Sequence, residues 1–241
     1  MPLLAGEGVT KYFVGLAAVD GVDFQIEPGE IVGIIGPNGA GKTTLFNLIS
    51  SAITVTSGTL RFRDKDITKM KAHDICRLGI ARTFQAGNLF PKMTVLENVW
   101  VGGIFGSANI DPSRAEEKAR ELIETVGLVG KERLLAQDLT LAARKRLEIA
   151  RALATKPALL MLDEVMAGLT PTEVGESLEL IQNIHASGVT ILLIEHIMKA
   201  IMGISQRIIV LHHGKKIAEG VPNEVCNSEV VINVYLGGHR C

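Results

Sequence analysis

A chain of 241 residues, 47% apolar and 21% charged, has the makeup of one large folded domain, or one domain carrying an inserted lobe, rather than of a disordered segment. Its net charge of -1 supplies no global field toward nucleic acid or anionic lipid, and its three cysteines, without paired short spacing, do not make a disulfide framework or a zinc site. No apolar run approaches the roughly 18 residues of a membrane span, and Met1 opens a stretch without the basic start and apolar run of a secretory signal, so a cytoplasmic location is expected.

In chain order, the first third reads as strands. In "VDFQIE", Val22, Phe24 and Ile26 alternate with Asp23, Gln25 and Glu27, the pattern of a half-buried strand. Pro28-Gly29 turns the chain into "EIVGIIG", a fully buried strand. It runs into "GPNGAGKT": Gly36, Pro37, Asn38, Gly39, Ala40, Gly41, Lys42 and Thr43 fit the phosphate-binding pattern G-x-x-x-x-G-K-[ST], and "TTLFNLIS" then reads as a helix. The residue types follow from the chemistry. Glycines at 36, 39 and 41 let backbone N–H groups curl around phosphate oxygens, and the helix aims its positive end at the same anion. Lys42 reaches the β and γ phosphates, Thr43 offers its hydroxyl to Mg2+, and Thr44 adds a phosphate contact. "TSG" at 56–58 is expected to turn and "TLRFR" to form a strand.

Residues 86–155 read as a mostly helical lobe. Ser113 is an expected N-cap with Glu116 three residues on, Ala115, Ala119, Leu122, Ile123 and Val126 share one face, and Gly127 ends the helix. A second helix is expected in "LTLAARKRLEIARAL", capped by Thr140. Strand–helix alternation then returns. "LLMLDE" places Asp163 and Glu164 at the carboxyl end of a buried strand, where open α/β sheets bind ligands. Asp163 is the natural Mg2+-side carboxylate, and Glu164 a candidate base for an attacking water. "VTILLIEH" repeats the geometry and sets His196 to donate to the γ-phosphate or to position the water. "RIIVLHHGKKIAEG" reads as a hairpin. The fold class is α/β: a P-loop NTPase core with a parallel sheet, an N-terminal antiparallel β subregion and an inserted helical lobe.

These elements in this order resemble the ATP-binding subunit of ABC transporters over nearly the whole chain. The resemblance implies one nucleotide-binding domain spanning 1–241, with 1–85 and 156–241 as catalytic core and 86–155 as helical lobe. It implies that Phe13 stacks on adenine, with Tyr12 as the substitute, and that Gln85 in "ARTFQ" links the γ-phosphate and Mg2+ to the lobe. "AGLTP", Ala167 to Pro171, matches the loop that crosses the dimer interface, and His196 matches the switch histidine. "GIARTFQ", "MTVLENV", "LEIARALAT", "AGLTPTE" and the ending "VYLG" look most like importers of branched-chain amino acids; importers of urea or other small solutes are the alternative. By resemblance, two such subunits sandwich two ATP molecules, each between one chain's phosphate loop and the other's signature sequence. Partners implied are a second ATP-binding subunit, permease subunits that dock against residues 86–99 and hold the chain at the inner face of the membrane, and indirectly a solute-binding protein.

The family signature LSGGQ is met here by Leu139, Thr140, Leu141, Ala142 and Ala143. A hydroxyl and a helix start are kept; close backbone approach at Leu141 and Ala142, and an amide at Ala143, are lost. One or two missing hydrogen bonds to a charged phosphate cost about 1.5–3 kcal/mol each. The residues around this chain's own ATP are all present. The second ATP-binding subunit is expected as a homo- or heterodimer partner, and a partner with a complete signature would make an asymmetric heterodimer whose hydrolysis is strongest at this chain's loop. The competing readings are a regulatory nucleotide-binding subunit without turnover and a soluble ABC-type ATPase of DNA repair or translation. The latter lacks its expected coiled-coil insertion, tandem cassette or basic surface here.

Overall fold

The computed structural model describes residues 1–84, 89–106 and 112–235. In chain order the first elements are β1 (Leu4–Phe13), β2 (Leu16–Ile26), β3 (Ile31–Ile35), α1 (Lys42–Ile49), β4 (Ser57–Phe62), β5 (Lys65–Asp66), α2 (Ala72–Leu78) and β6 (Ile80–Arg82). Three helices follow, α3 (Val95–Phe105), α4 (Pro112–Thr125) and, after a 3-10 turn at Ala136–Asp138, α5 (Leu141–Leu153). The chain then runs through β7 (Leu159–Asp163), α6 (Pro171–Ala186), β8 (Thr190–Ile194), α7 (Met198–Ile204), β9 (Arg207–His212), β10 (Lys215–Gly220), α8 (Pro222–Asn227) and α9 (Glu229–Tyr235). It divides into two compact units, residues 1–75 with 190–241, and residues 76–189. None of the described helices is long and apolar enough to cross a membrane.

In the first unit an antiparallel sheet runs β2-β1-β4-β5, and strands β10-β9-β3-β8 lie side by side, with β3 parallel to both β8 and β9. Residues of β3 and β8 are buried throughout, as a strand covered on both faces requires. In β2 the alternation holds: Val22, Phe24 and Ile26 are buried while Asp23, Gln25 and Glu27 are exposed. The stretch at 56–58 is not a turn. Ser57 begins β4, and a Cβ on Gly58 would stand 2.3 Å from the Gly8 carbonyl oxygen, so glycine serves a close approach of two strands at a register shift. Arg207 ties the unit together. Its guanidinium grips both oxygens of Glu30 at 2.7 and 2.6 Å, donates to the Gln25 carbonyl at 2.8 Å and pairs with Glu219. Burial raises the Glu30 carboxyl, but the Arg207 hydrogen bond and charge, with the Glu27 N–H, outweigh it and hold the group below its ordinary range.

β1 and β2 join through a two-residue turn, with Phe13 paired to Leu16 and positive φ at Val14 (44°) and Gly15 (87°), the signs of a type I′ turn. A β-branched residue is strained there, and Val14 is fully exposed, so packing offers nothing in return. Val14→Asn is therefore expected to stabilise the protein by about 1 kcal/mol. Urea denaturation checks this; an unchanged or lower midpoint would contradict the strain.

The second unit pairs β6 with β7 in parallel and packs α3, α4 and α5 together. The expected face of α4 is largely observed, since Ala115, Ala119, Ile123 and Val126 are buried while Leu122 is half-buried. Its C-terminus closes as a Schellman motif, with Leu128 N–H on the Ile123 carbonyl, Gly127 N–H on the Glu124 carbonyl and Gly127 at φ 71°. Its start differs from the expectation: α4 begins at Pro112, so Ser113 lies inside the helix rather than capping it. Proline suits the first helical position because its φ is already helical and its missing N–H has no helical partner to lose.

Candidate functional site

Each unit positions a separate group of candidate residues. In the first unit, parallel β3, β8 and β9 bring their carboxyl ends to one edge. The phosphate loop follows β3, His196 follows β8, and the turn His213-Gly214 follows β9. The loop must be glycine at two points because backbone crowds it. A Cβ on Gly36 would meet the Leu211 carbonyl oxygen at 2.1 Å, and one on Gly41 the Ala18 carbonyl oxygen at 2.3 Å. Gly214 N–H donates to the Ala40 carbonyl at 3.0 Å, and Asp20 N–H to the Gly214 carbonyl at 2.8 Å, so the loop is braced from β2 and from the hairpin. Gly41 takes φ 101° and caps α1 without a side chain, which leaves the helix start open to an anion. Lys42 is buried, and its ammonium donates to the Gly36 carbonyl at 2.7 Å and the Pro37 carbonyl at 3.0 Å.

Asn38 and Gly39 are exposed, Pro37, Thr43 and Thr44 are half-buried, and Ala40 is buried under the loop. His196 is exposed at the end of β8, while the neighbouring Glu195 is buried. Phe13 stands half exposed on the β1–β2 hairpin with the Lys11 ammonium 5.2 Å from its ring centroid, and Tyr12 is comparably exposed. Gln85 lies outside the described residues, as does the end of the "VYLG" text.

In the second unit, Asp163 ends β7 with a fully buried side chain. Its Oδ2 accepts from Arg82 Nη2 at 2.7 Å, its N–H donates to the Thr83 hydroxyl at 3.1 Å, and its Oδ1 is buried with no hydrogen-bond partner among the described residues. A buried carboxylate oxygen left open is costly unless a further cation or a water reaches it, so Asp163 fits a metal-side role. Glu164 follows in the left-handed region at φ 51°, half-buried, with its carbonyl accepting from the Lys145 ammonium at 3.4 Å.

Thr140 caps α5 as expected: its hydroxyl oxygen accepts from Ala143 N–H at 3.3 Å. Leu141 beside it is 48% exposed, Ala142 half-buried and Ala143 buried. One turn on, burial raises the Glu148 carboxyl above its usual range despite the nearby Lys145 and Arg151, and burial likewise lowers Arg151.

Sequence reasoning passed over three residues of this unit. Arg82 and Lys145 act across the fold, on partners that only the register of β6 and β7 and the packing of α5 select. Asn98, fully buried on α3, accepts from Phe90 N–H at 2.9 Å and donates to the carbonyls of Phe90 (3.1 Å), Met93 (3.3 Å) and Thr94 (2.9 Å), pinning the loop that leads into the helix. An asparagine within the mostly apolar "VLENVW", flanked by Glu97 and Val99, was the available signal.

Two family models match the sequence: one described as ABC transporter over residues 19–167, and one described as branched-chain amino acid ATP-binding cassette transporter over residues 215–240. The high-affinity branched-chain amino acid transport ATP-binding protein LivG of Escherichia coli (strain K12) is 42% identical, covering 98% of this chain and 98% of its own length. Among solved structures, the ADP conformation of an ATP-binding cassette of an ABC transporter is 32% identical with a TM-score of 0.88, covering 98% of this chain and 99% of that one. A dimeric cassette in a post-hydrolysis state bound to ADP and Pi is 26% identical with a TM-score of 0.83, covering 91% and 98%.

Proposed function

Given that this chain belongs to the ABC transporter family of ATP-binding cassettes, we propose that it binds and hydrolyses ATP to power a membrane importer of branched-chain amino acids. The observation that carries the ATP reading is the phosphate loop, held by backbone at Gly36 and Gly41 and capped by no side chain. Likeness to LivG along the whole chain, with the C-terminal family match, supports the choice of solute.

In this reading the loop's N–H groups and the start of α1 take the phosphates. Lys42 exchanges the Gly36 and Pro37 carbonyls for the β and γ phosphate oxygens. Phe13 stacks on adenine, Glu164 accepts the proton of the attacking water, and His196 donates to the γ-phosphate. The open Oδ1 of Asp163, the Thr43 hydroxyl and Gln85 are the groups that would hold Mg2+, which when bound offsets the charge of the β and γ oxygens.

The whole chain acts as one nucleotide-binding domain, with 86–155 as the lobe that meets the permease subunits and so keeps the chain at the inner face of the cell membrane. Half-exposed Phe90, on the loop that Asn98 pins, supports contact on that side. The second ATP-binding subunit is a different chain with a complete signature, and a solute-binding protein delivers the cargo.

Uptake by vesicles containing the assembled importer and its binding protein tests the assignment. ATP-dependent accumulation of leucine, isoleucine and valine is expected. Accumulation of urea instead would replace the solute, and wild-type complexes without ATP turnover would favour a regulatory subunit.

A further inference from the structure

Arg82 closes β6 with a side chain only 5% exposed, aimed at the fully buried Asp163. Burying two charges costs desolvation of both, and a guanidinium that pairs for stability alone commonly grips both carboxylate oxygens through its fork. Here one Nη2–Oδ2 contact of 2.7 Å is made, and Oδ1 stays buried and open among the described residues. Three successive residues build this arrangement. Arg82 is set by its register opposite Met161, the Thr83 hydroxyl accepts from Asp163 N–H, and the Phe84 ring lies 5.0 Å from the Arg82 guanidinium carbon. The carboxylate therefore has a fixed positive partner on one oxygen and one direction left for another cation.

We propose that Arg82 is the resident counter-cation of Asp163 in the metal-free protein and thereby sets how tightly the metal–nucleotide complex is held. This rests on the reading of Asp163 as the metal-side carboxylate. A divalent ion approaching Oδ1 meets a carboxylate whose charge is already half spent on the guanidinium, and it is repelled by that guanidinium at short range in a buried setting where charges are poorly screened. Arg82 is a positioning residue: it acts on the metal through Asp163. The arrangement keeps the buried carboxylate paired and oriented between turnovers, at the expense of metal affinity.

The test uses the full-length chain and a fluorescent ADP analogue, titrated with Mg2+ at fixed nucleotide and repeated in EDTA. Removing the charge with Arg82→Met, or with Arg82→Gln should the first not fold, is expected to lower the Mg2+ concentration at half-maximal metal-dependent binding about tenfold. Binding in EDTA should stay unchanged, and Arg82→Lys, which keeps the charge, should stay within about twofold of wild type. An unchanged or higher Mg2+ requirement in the charge-removing variants overturns the proposal. Asp163→Asn separates the two claims. If it leaves the Mg2+ dependence intact, the reading of Asp163 fails; if it weakens that dependence while the Arg82 variants do nothing, only the role of Arg82 is lost.

Discussion

Glu164→Gln in this chain is expected to lower ATP turnover of the assembled importer about a thousandfold while nucleotide binding persists. The amide keeps the size of the side chain and its half-buried place after β7 but cannot accept the proton of the attacking water. In the proposed heterodimer the equivalent change in the partner subunit should cost far less, because there the partner's ATP would be served by this chain's signature. That signature keeps the hydroxyl of Thr140 and the start of α5, but Leu141 and Ala142 carry side chains where the family's glycines have none. Each lost hydrogen bond to the phosphate weakens closure on that side by about tenfold or more. Single-turnover measurements on the two singly substituted complexes decide the matter; equal losses would remove the asymmetry.

Gly36→Ala is expected to be the most disruptive single methyl that the phosphate loop can receive. Its Cβ would stand 2.1 Å from a backbone oxygen of β9, which cannot swing aside as a side chain would. Either the loop or the strand must move, at a cost of at least about 3 kcal/mol, and nucleotide binding should be lost with the loop geometry. Gly39→Ala is the control. It lies at φ 78° with nothing within 4 Å of the new methyl, so only the left-handed backbone resists, by about 1–2 kcal/mol. Urea denaturation and binding of a fluorescent ADP analogue read both effects. A Gly36 variant no worse than the Gly39 variant would show that the close approach to Leu211 does not constrain the loop.

What the sequence made legible was whatever repeats within one element or one turn. The alternation in β2, the buried face of α4, the glycines of the phosphate loop and the Thr140 cap each depend on neighbours a few residues apart. The β9–β10 hairpin was legible for the same reason, since His213-Gly214 supplies two residues at positive φ, 45° and 79°. Contacts made across the fold stayed hidden. Arg82 and Asp163 are 81 positions apart, and only the parallel register of β6 and β7 brings the guanidinium to that carboxylate. Gly58 reads as a turn residue in its local text because a glycine that admits a neighbouring strand looks the same as one that bends the chain. Ser113 failed as a cap because Pro112 is equally able to begin a helix.

Leu141 carries one more consequence. Its Cδ2 atom lies 3.0 Å from where a Cβ on Gly168 would stand, so the residue at the expected signature-glycine position limits what the loop behind Glu164 can carry at 168. Any side chain at 168 would have to shift the end of Leu141 as well as accept φ 79°. Substitutions at 141 and 168 are therefore expected to be coupled rather than additive, a shorter side chain at 141 making room for the new one at 168.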